Sequence, residues 1–150
     1  MQTFLPYADF YKSMQTLDPS RLGNQVYREC KTLINGGWAN HPVAKMWKGY
    51  EHALAKYALA GLEELTRRGK HYQHHIDFFN ECLNKFPDTG NPSWLGNELF
   101  HLSHRANLYV KDPVYYSHFQ QDHFRWEQIR EEQNIPDKYY WPTKPYFRGE

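Results

Sequence analysis

Apolar residues along this chain recur at three- and four-residue intervals, and no stretch sustains an alternation of period two, so the pattern predicts helices and no sheet. The first clear stripe runs through Leu22, Val26, Cys30 and Leu33. Asp18 followed by Pro19 reads as an N-cap with proline at the first helical position, and Asn35-Gly36-Gly37 stops that helix. A shorter lead segment, around Tyr7 to Gln15, precedes it. Val43, Met46, Trp47, Tyr50, Leu54, Tyr57, Leu62 and Leu65 then predict one long central packing helix from His41-Pro42 to Arg67-Arg68-Gly69. A third helix covers about Tyr72 to Asn84. Beyond the turn-rich stretch from Pro87 to Pro92, a fourth puts Leu95, Leu99, Leu102, Ala106 and Tyr109 on one face and exits at Asp112-Pro113. From Ser117 to Gln133 the chain is polar, anchored by Phe119, Trp126 and Ile129, and from about residue 136 Pro136, Pro142 and Pro145 hold a tail extended. The expected fold class is all-α: one compact single-domain helical bundle of 150 residues with an extended aromatic C-terminal tail.

Five Trp, twelve Tyr and nine Phe are a high aromatic load beside a net charge of +1, which argues against a partner held by bulk charge alone. The charge is uneven, however: seven Lys/Arg against four Asp/Glu precede residue 61, so any nucleic acid would be bound on a local basic face. Cys30 and Cys82 lie in helical patterns without CxxC spacing or a leader, the arrangement of reduced core thiols in a cytoplasmic protein. No apolar run approaches membrane-spanning length, and no membrane partner is expected.

Candidate chemistry centres on Tyr27-Arg28-Glu29. Arg21, Gln25, Arg28, Glu29 and Thr32 occupy adjoining helical positions, with Glu29 on the flank of the buried stripe. Partial desolvation there raises a carboxyl pKa, while Arg28 and Arg21 oppose the rise; an ordinary helix ion pair and a proton-transfer group both fit. A second cationic strip is expected from His101, His104, Arg105 and Lys111, opposite the apolar stripe of the fourth helix. The tail Lys138 to Arg148 interleaves cations with rings, including Tyr140 and Trp141, and suits either stacking on unpaired bases or strapping over the core. His71 and His75 have i, i+4 spacing but lack a third ligand, so solvated histidines are favoured over a metal site, and no metal or cofactor is expected. Ser103, His104 and Asp112 do not form a triad, because adjacent helical residues diverge and no nucleophile elbow precedes them. Gly36-Gly37, with no preceding strand or following lysine, is a helix stop rather than a phosphate loop.

Three segments carry a resemblance to a known family: Leu17 to Gln25 leading into Tyr27-Arg28-Glu29; Asn40 to Tyr50; and Ser103-His104-Arg105 followed by Lys111 to Tyr116. The chain resembles the pyrimidine-dimer DNA glycosylases of the endonuclease V type, in particular their bacterial and phage branch, with about one residue of slack needed between Arg21 and Glu29. The resemblance implies a compact all-α enzyme that bends duplex DNA, displaces a base, cleaves the glycosidic bond at a damaged or modified pyrimidine, and nicks the strand as an AP lyase. It also implies a monomer working without a cofactor. A terminal amine attacks the sugar and a glutamate moves protons; carried onto this chain the glutamate is Glu29 and the amine that of Met1, expected to be kept because Gln2 is too long for methionine removal, with a lysine or a different chemistry as the alternatives. An α-amino group titrates at roughly 7.7–8.0, which leaves a neutral fraction near pH 7. Arg28 takes the neighbouring phosphate, and Arg21, Gln25, His41, His104 and Arg105 fall to DNA-facing or pocket roles. Two other readings share the pocket: a group-transfer enzyme acting on hypermodified phage DNA without excision, and a non-catalytic module that recognises distorted duplex.

Overall fold

Aspartate caps, prolines at first helical positions and glycine stops divide the chain as the periodicity predicts in most places. The structure, a computed structural model, describes residues 1–148. Its helices are α1 (Phe10–Thr16), α2 (Pro19–Asn24), α3 (Lys31–Ile34), α4 (Pro42–Trp47), α5 (Glu51–Arg67), α6 (Gln73–Lys85), α7 (Glu98–Lys111) and α8 (Gln120–Gln133), and there is no strand among the described residues. The Asp18 side chain accepts from the Arg21 amide, so the cap and Pro19 act as expected. Between α2 and α3 the helix continues as a π-helical stretch, Gln25–Cys30, which the periodicity alone does not reveal.

The chain divides into two compact units. The first comprises Met1–Phe4 and Asp9–Ser93, the second Leu5–Ala8 with the chain from Trp94 onward. In the first, α5 packs against α1, α6 and the π stretch. Gly61 of α5 makes the approach possible: a Cβ there would lie 2.7 Å from Val26 Cγ2 and 3.0 Å from Met14 Cε. Leu22, Val26, Cys30 and Leu33 are all buried, as the stripe requires, and Cys30 and Cys82 are free, buried thiols.

The single helix expected from His41 to Gly69 is two. Gly49 takes φ +86 and its amide donates to Glu51 Oε2 at 2.8 Å, so α4 ends and α5 starts afresh around a left-handed residue. The i, i+4 face for His71 and His75 also fails, because α6 begins only at Gln73 and His71 bonds Gln73 Oε1 ahead of it. No group of three His, Cys, Asp or Glu is placed to hold a metal among the described residues. No helix among them is long and apolar enough to cross a membrane.

In the second unit α7 packs along α8. Here the cationic strip gives way to a different arrangement: His101 and His104 are buried at 3% and 0% exposure. The irregular segments beside α7 have no ladder to satisfy their peptide groups, and the polar side of the helix supplies the partners. His104 Nδ1 accepts from the Leu5 amide and His101 Nδ1 meets the Leu5 carbonyl, both at 2.8 Å, while His101 Nε2 accepts from the Gly96 amide. Ser103 Oγ accepts from the Tyr140 amide, and Asn107 donates to the Lys138 carbonyl. Burial lowers both histidine pKa values, well below the usual range for His104, so this helix presents neutral imidazoles. The tail is a strap: Tyr140 is 1% exposed and Trp141 8%, and the tail folds back through Tyr140 Oη donating to the Tyr146 carbonyl. Lys111 is exposed.

A candidate amine and carboxylate site

In the first unit, the segment Met1–Phe4 is irregular yet deeply packed, with Gln2, Thr3 and Phe4 at 5%, 0% and 6% exposure. Backbone so placed must be satisfied by side chains. Gln25, expected in a DNA-facing or pocket role, is 2% exposed and clamps the segment: its Oε1 accepts from the Phe4 amide at 2.8 Å and its Nε2 donates to the Gln2 carbonyl at 3.2 Å. The Tyr57 hydroxyl lies 2.6 Å from the Phe4 carbonyl and 2.8 Å from Gln25 Oε1. Trp47 Nε1 donates to Thr3 Oγ1 at 2.9 Å. Burial above all, with Cys30 and Glu29 adding, pushes the Tyr57 phenol far up, so it stays a donor.

The clamp fixes the segment Met1–Phe4 against the helix that carries Gln25. Glu29 is one turn beyond Gln25 on the same helix, half-buried, and its Oε2 is buried with no hydrogen-bond partner. Burial raises the Glu29 pKa; the terminal ammonium, then Arg28, pull it back down. The opposing charge expected from Arg21 comes instead from the terminus, because Arg21 is paired with Asp18 at 3.1 Å. His41 caps α4, its Nδ1 accepting from the Val43 amide at 3.0 Å. Burial lowers its pKa and the terminal ammonium lowers it further, so the terminus has a carboxyl and a neutral imidazole within electrostatic reach. Arg28 is exposed beside this group.

The sequence identifies Glu29, Arg28 and His41 as neighbours of the chemistry, and the structure gathers them with Met1 in one unit. Gln25 belongs there as a clamp. Thr3, Trp47 and Tyr57 escape sequence reading because each looks like ordinary core. The one available signal was a glutamine beside the buried stripe, whose amide must find partners. His101, His104, Arg105, Lys111, Tyr140 and Trp141 all belong to the second unit. Arg105 there donates to the Pro6 carbonyl at 2.9 Å, pairs with Glu98 at 3.0 Å and Asp122 at 3.3 Å, and lies over the Tyr7 ring. Arg105→Met is therefore expected to cost about 2 kcal/mol of stability. It should leave the salt dependence of DNA binding unchanged, where loss of a phosphate contact would lower the slope by about 0.9. Thermal melts and a salt titration of binding check both.

An all-helical scaffold with an amine within electrostatic reach of a partly desolvated carboxyl has the groups needed to attack an electrophilic carbon and shuttle the accompanying protons. The particular family follows from comparison: a profile described as pyrimidine dimer DNA glycosylase matches residues 1–80, and the chain belongs to that family. The protein is thus a DNA glycosylase of DNA repair with the all-α fold of the endonuclease V type, and its substrate is DNA. No curated protein and no solved structure matches the chain. The matched residues include Met1, the clamp, Glu29 and His41.

Proposed function

We propose that this protein excises a damaged or modified pyrimidine from duplex DNA and then nicks the strand, with the Met1 amine as nucleophile and Glu29 as acid and base. The supporting observation is that Gln25 clamps the Met1–Phe4 segment to the helix that carries Glu29, whose Oε2 is buried without a hydrogen bond, with the terminal ammonium within electrostatic reach.

In this reading the neutral amine attacks C1' of the sugar. An N–C1' bond forms and the glycosidic bond breaks, its electron pair leaving with the base, while the alkylated nitrogen sheds one proton and the departing base takes one up. Glu29, protonated, gives its proton to the ring oxygen as the sugar opens to an iminium. The resulting carboxylate accepts the proton lost from C2', and elimination breaks the C3'–O bond, releasing the 3' phosphate oxygen with its electrons. Water then hydrolyses the iminium and frees the amine. Arg28, exposed on the next helical position, neutralises a flanking phosphate. His41, held neutral, adds no competing positive charge beside the amine.

Borohydride reduction during turnover tests the chemistry. A covalent protein–DNA adduct is expected on duplex carrying a pyrimidine lesion, and peptide mapping should place it on the peptide that starts at Met1. Selective acetylation of that amine should remove the adduct. An adduct on a lysine peptide, or none with any lesion, sinks the mechanism.

A further inference from the structure

Between α3 and α4 the loop Asn35–Asn40 carries a feature that the clamp and the acid do not use. Trp38 is 56% exposed, whereas the other four tryptophans, Trp47, Trp94, Trp126 and Trp141, are 2%, 3%, 0% and 8% exposed. Its backbone is left-handed at φ 60, a conformation bulky side chains avoid. A glycine would hold that turn without strain, and two glycines precede it. The Trp38 carbonyl accepts from the His41 amide at 2.8 Å, closing the turn, and the two rings meet edge to face at 5.9 Å. Thus a large ring is held out into solvent, against backbone preference, next to the His41 imidazole. Its loop neighbours Gly37, Ala39 and Asn40 line a cleft of about 590 Å³ that also presents Lys45 and Lys48, cations suited to a phosphate backbone.

Resting on the proposed DNA chemistry, we infer that Trp38 is a stacking wedge: its indole inserts at the base step beside the lesion, taking the place of stacking lost when a base at that step leaves the helix. An exposed aromatic held on a short, strained turn meets the two demands of this role. It offers a flat apolar face to a base, and it loses little freedom on binding. A ring merely left over from core packing would be covered or free to turn. This one is fixed at both its backbone and its edge.

The exposure pattern makes the test direct, since acrylamide quenching of tryptophan fluorescence reports essentially Trp38. A duplex containing a non-cleavable abasic analogue, with 2-aminopurine at the adjacent step, serves as the probe. Binding by the wild type, followed by anisotropy, is expected to protect the quenchable tryptophan and raise 2-aminopurine fluorescence. Trp38→Ala should lose the 2-aminopurine rise, and Trp38→Phe should restore much of it. With a natural abasic site, Trp38→Ala should lower the ratio of borohydride trapping on paired duplex to trapping on the same strand unpaired by about tenfold, one ring's share of the unstacking cost. Unchanged melting temperatures keep a folding defect out of the comparison. Wild-type binding and trapping with Trp38 still fully quenchable, or an unaltered 2-aminopurine signal in Trp38→Ala, overturns the wedge and leaves the amine mechanism standing. Failure of the wild type to bind or trap any of these substrates overturns both.

Discussion

Replacing Glu29 with Gln is expected to cut covalent trapping on damaged duplex by about a hundredfold or more, the usual worth of a positioned acid and base. The folded protein should meanwhile become more stable at neutral pH, because a partly desolvated charge gives way to a neutral amide. The gain depends on pH with a definite sign. Burial raises the folded-state pKa of Glu29 above the ordinary 4.5, so ionising it costs more in the fold than in the unfolded chain. That cost, and hence the advantage of Gln, grows as pH rises from 4.5 through the raised value, and it vanishes below 4.5 where both side chains are neutral. Melting curves at several pH values together with trapping yields check the two halves. A Glu29→Gln protein that is less stable at neutral pH, with trapping intact, would return Glu29 to the role of a simple helix ion pair. A gain in stability combined with a loss of chemistry is the signature of a site held at the expense of the fold.

The second large effect concerns a residue that never needs to touch DNA. Gln25→Leu keeps the volume of the side chain but leaves the Phe4 amide and the Gln2 carbonyl without the partners that Gln25 now provides. A loss of about 2–4 kcal/mol is expected from buried groups so stranded. Trapping should fall further than the unfolded fraction explains, since a displacement of roughly 1 Å at a nucleophile can cost a hundredfold. Tyr57→Phe, which removes one hydroxyl from the same cluster, should act in the same direction by about 1 kcal/mol. The useful measurement is trapping per folded molecule well below the melting temperature. The pH dependence should keep the shape set by Glu29, because the acid is untouched and only the amine has moved. Wild-type trapping in folded Gln25→Leu would mean that the segment Met1–Phe4 finds its place without the clamp.

The helices were legible in the sequence because they are amphipathic over several turns and punctuated by Asp, Pro and Gly at positions with one physical meaning. Glu29 was legible in the same way, by its place on the flank of Leu22, Val26 and Cys30. What was missed shares a different cause. Irregular segments, Met1–Phe4 and Leu5–Ala8, leave peptide groups to be satisfied by helix side chains, and periodicity says nothing about which helix a segment will lie against. That is why Gln25, His101 and His104 looked like polar surface but are buried at the backbone they serve. It is also why Arg21, expected to oppose the Glu29 shift, turned out to be engaged by Asp18, with the terminus in its stead. The break at Gly49 was hidden by apolar spacing that continues unbroken across it.

The π-helical stretch Gln25–Cys30 has a consequence for how the chain is compared with others. An ordinary helix that takes in one residue rotates everything beyond it by about 100°, which would turn Cys30 and Leu33 out of the core. A π turn confines the extra residue to one widened loop, so that Leu22 and Cys30, on either side, both remain fully buried. The slack of about one residue expected between Arg21 and Glu29 falls within the span of this π turn. A helix built this way can take in a residue while its core stays in register, and a comparison that forbids gaps within helices would misplace Glu29 relative to Arg21.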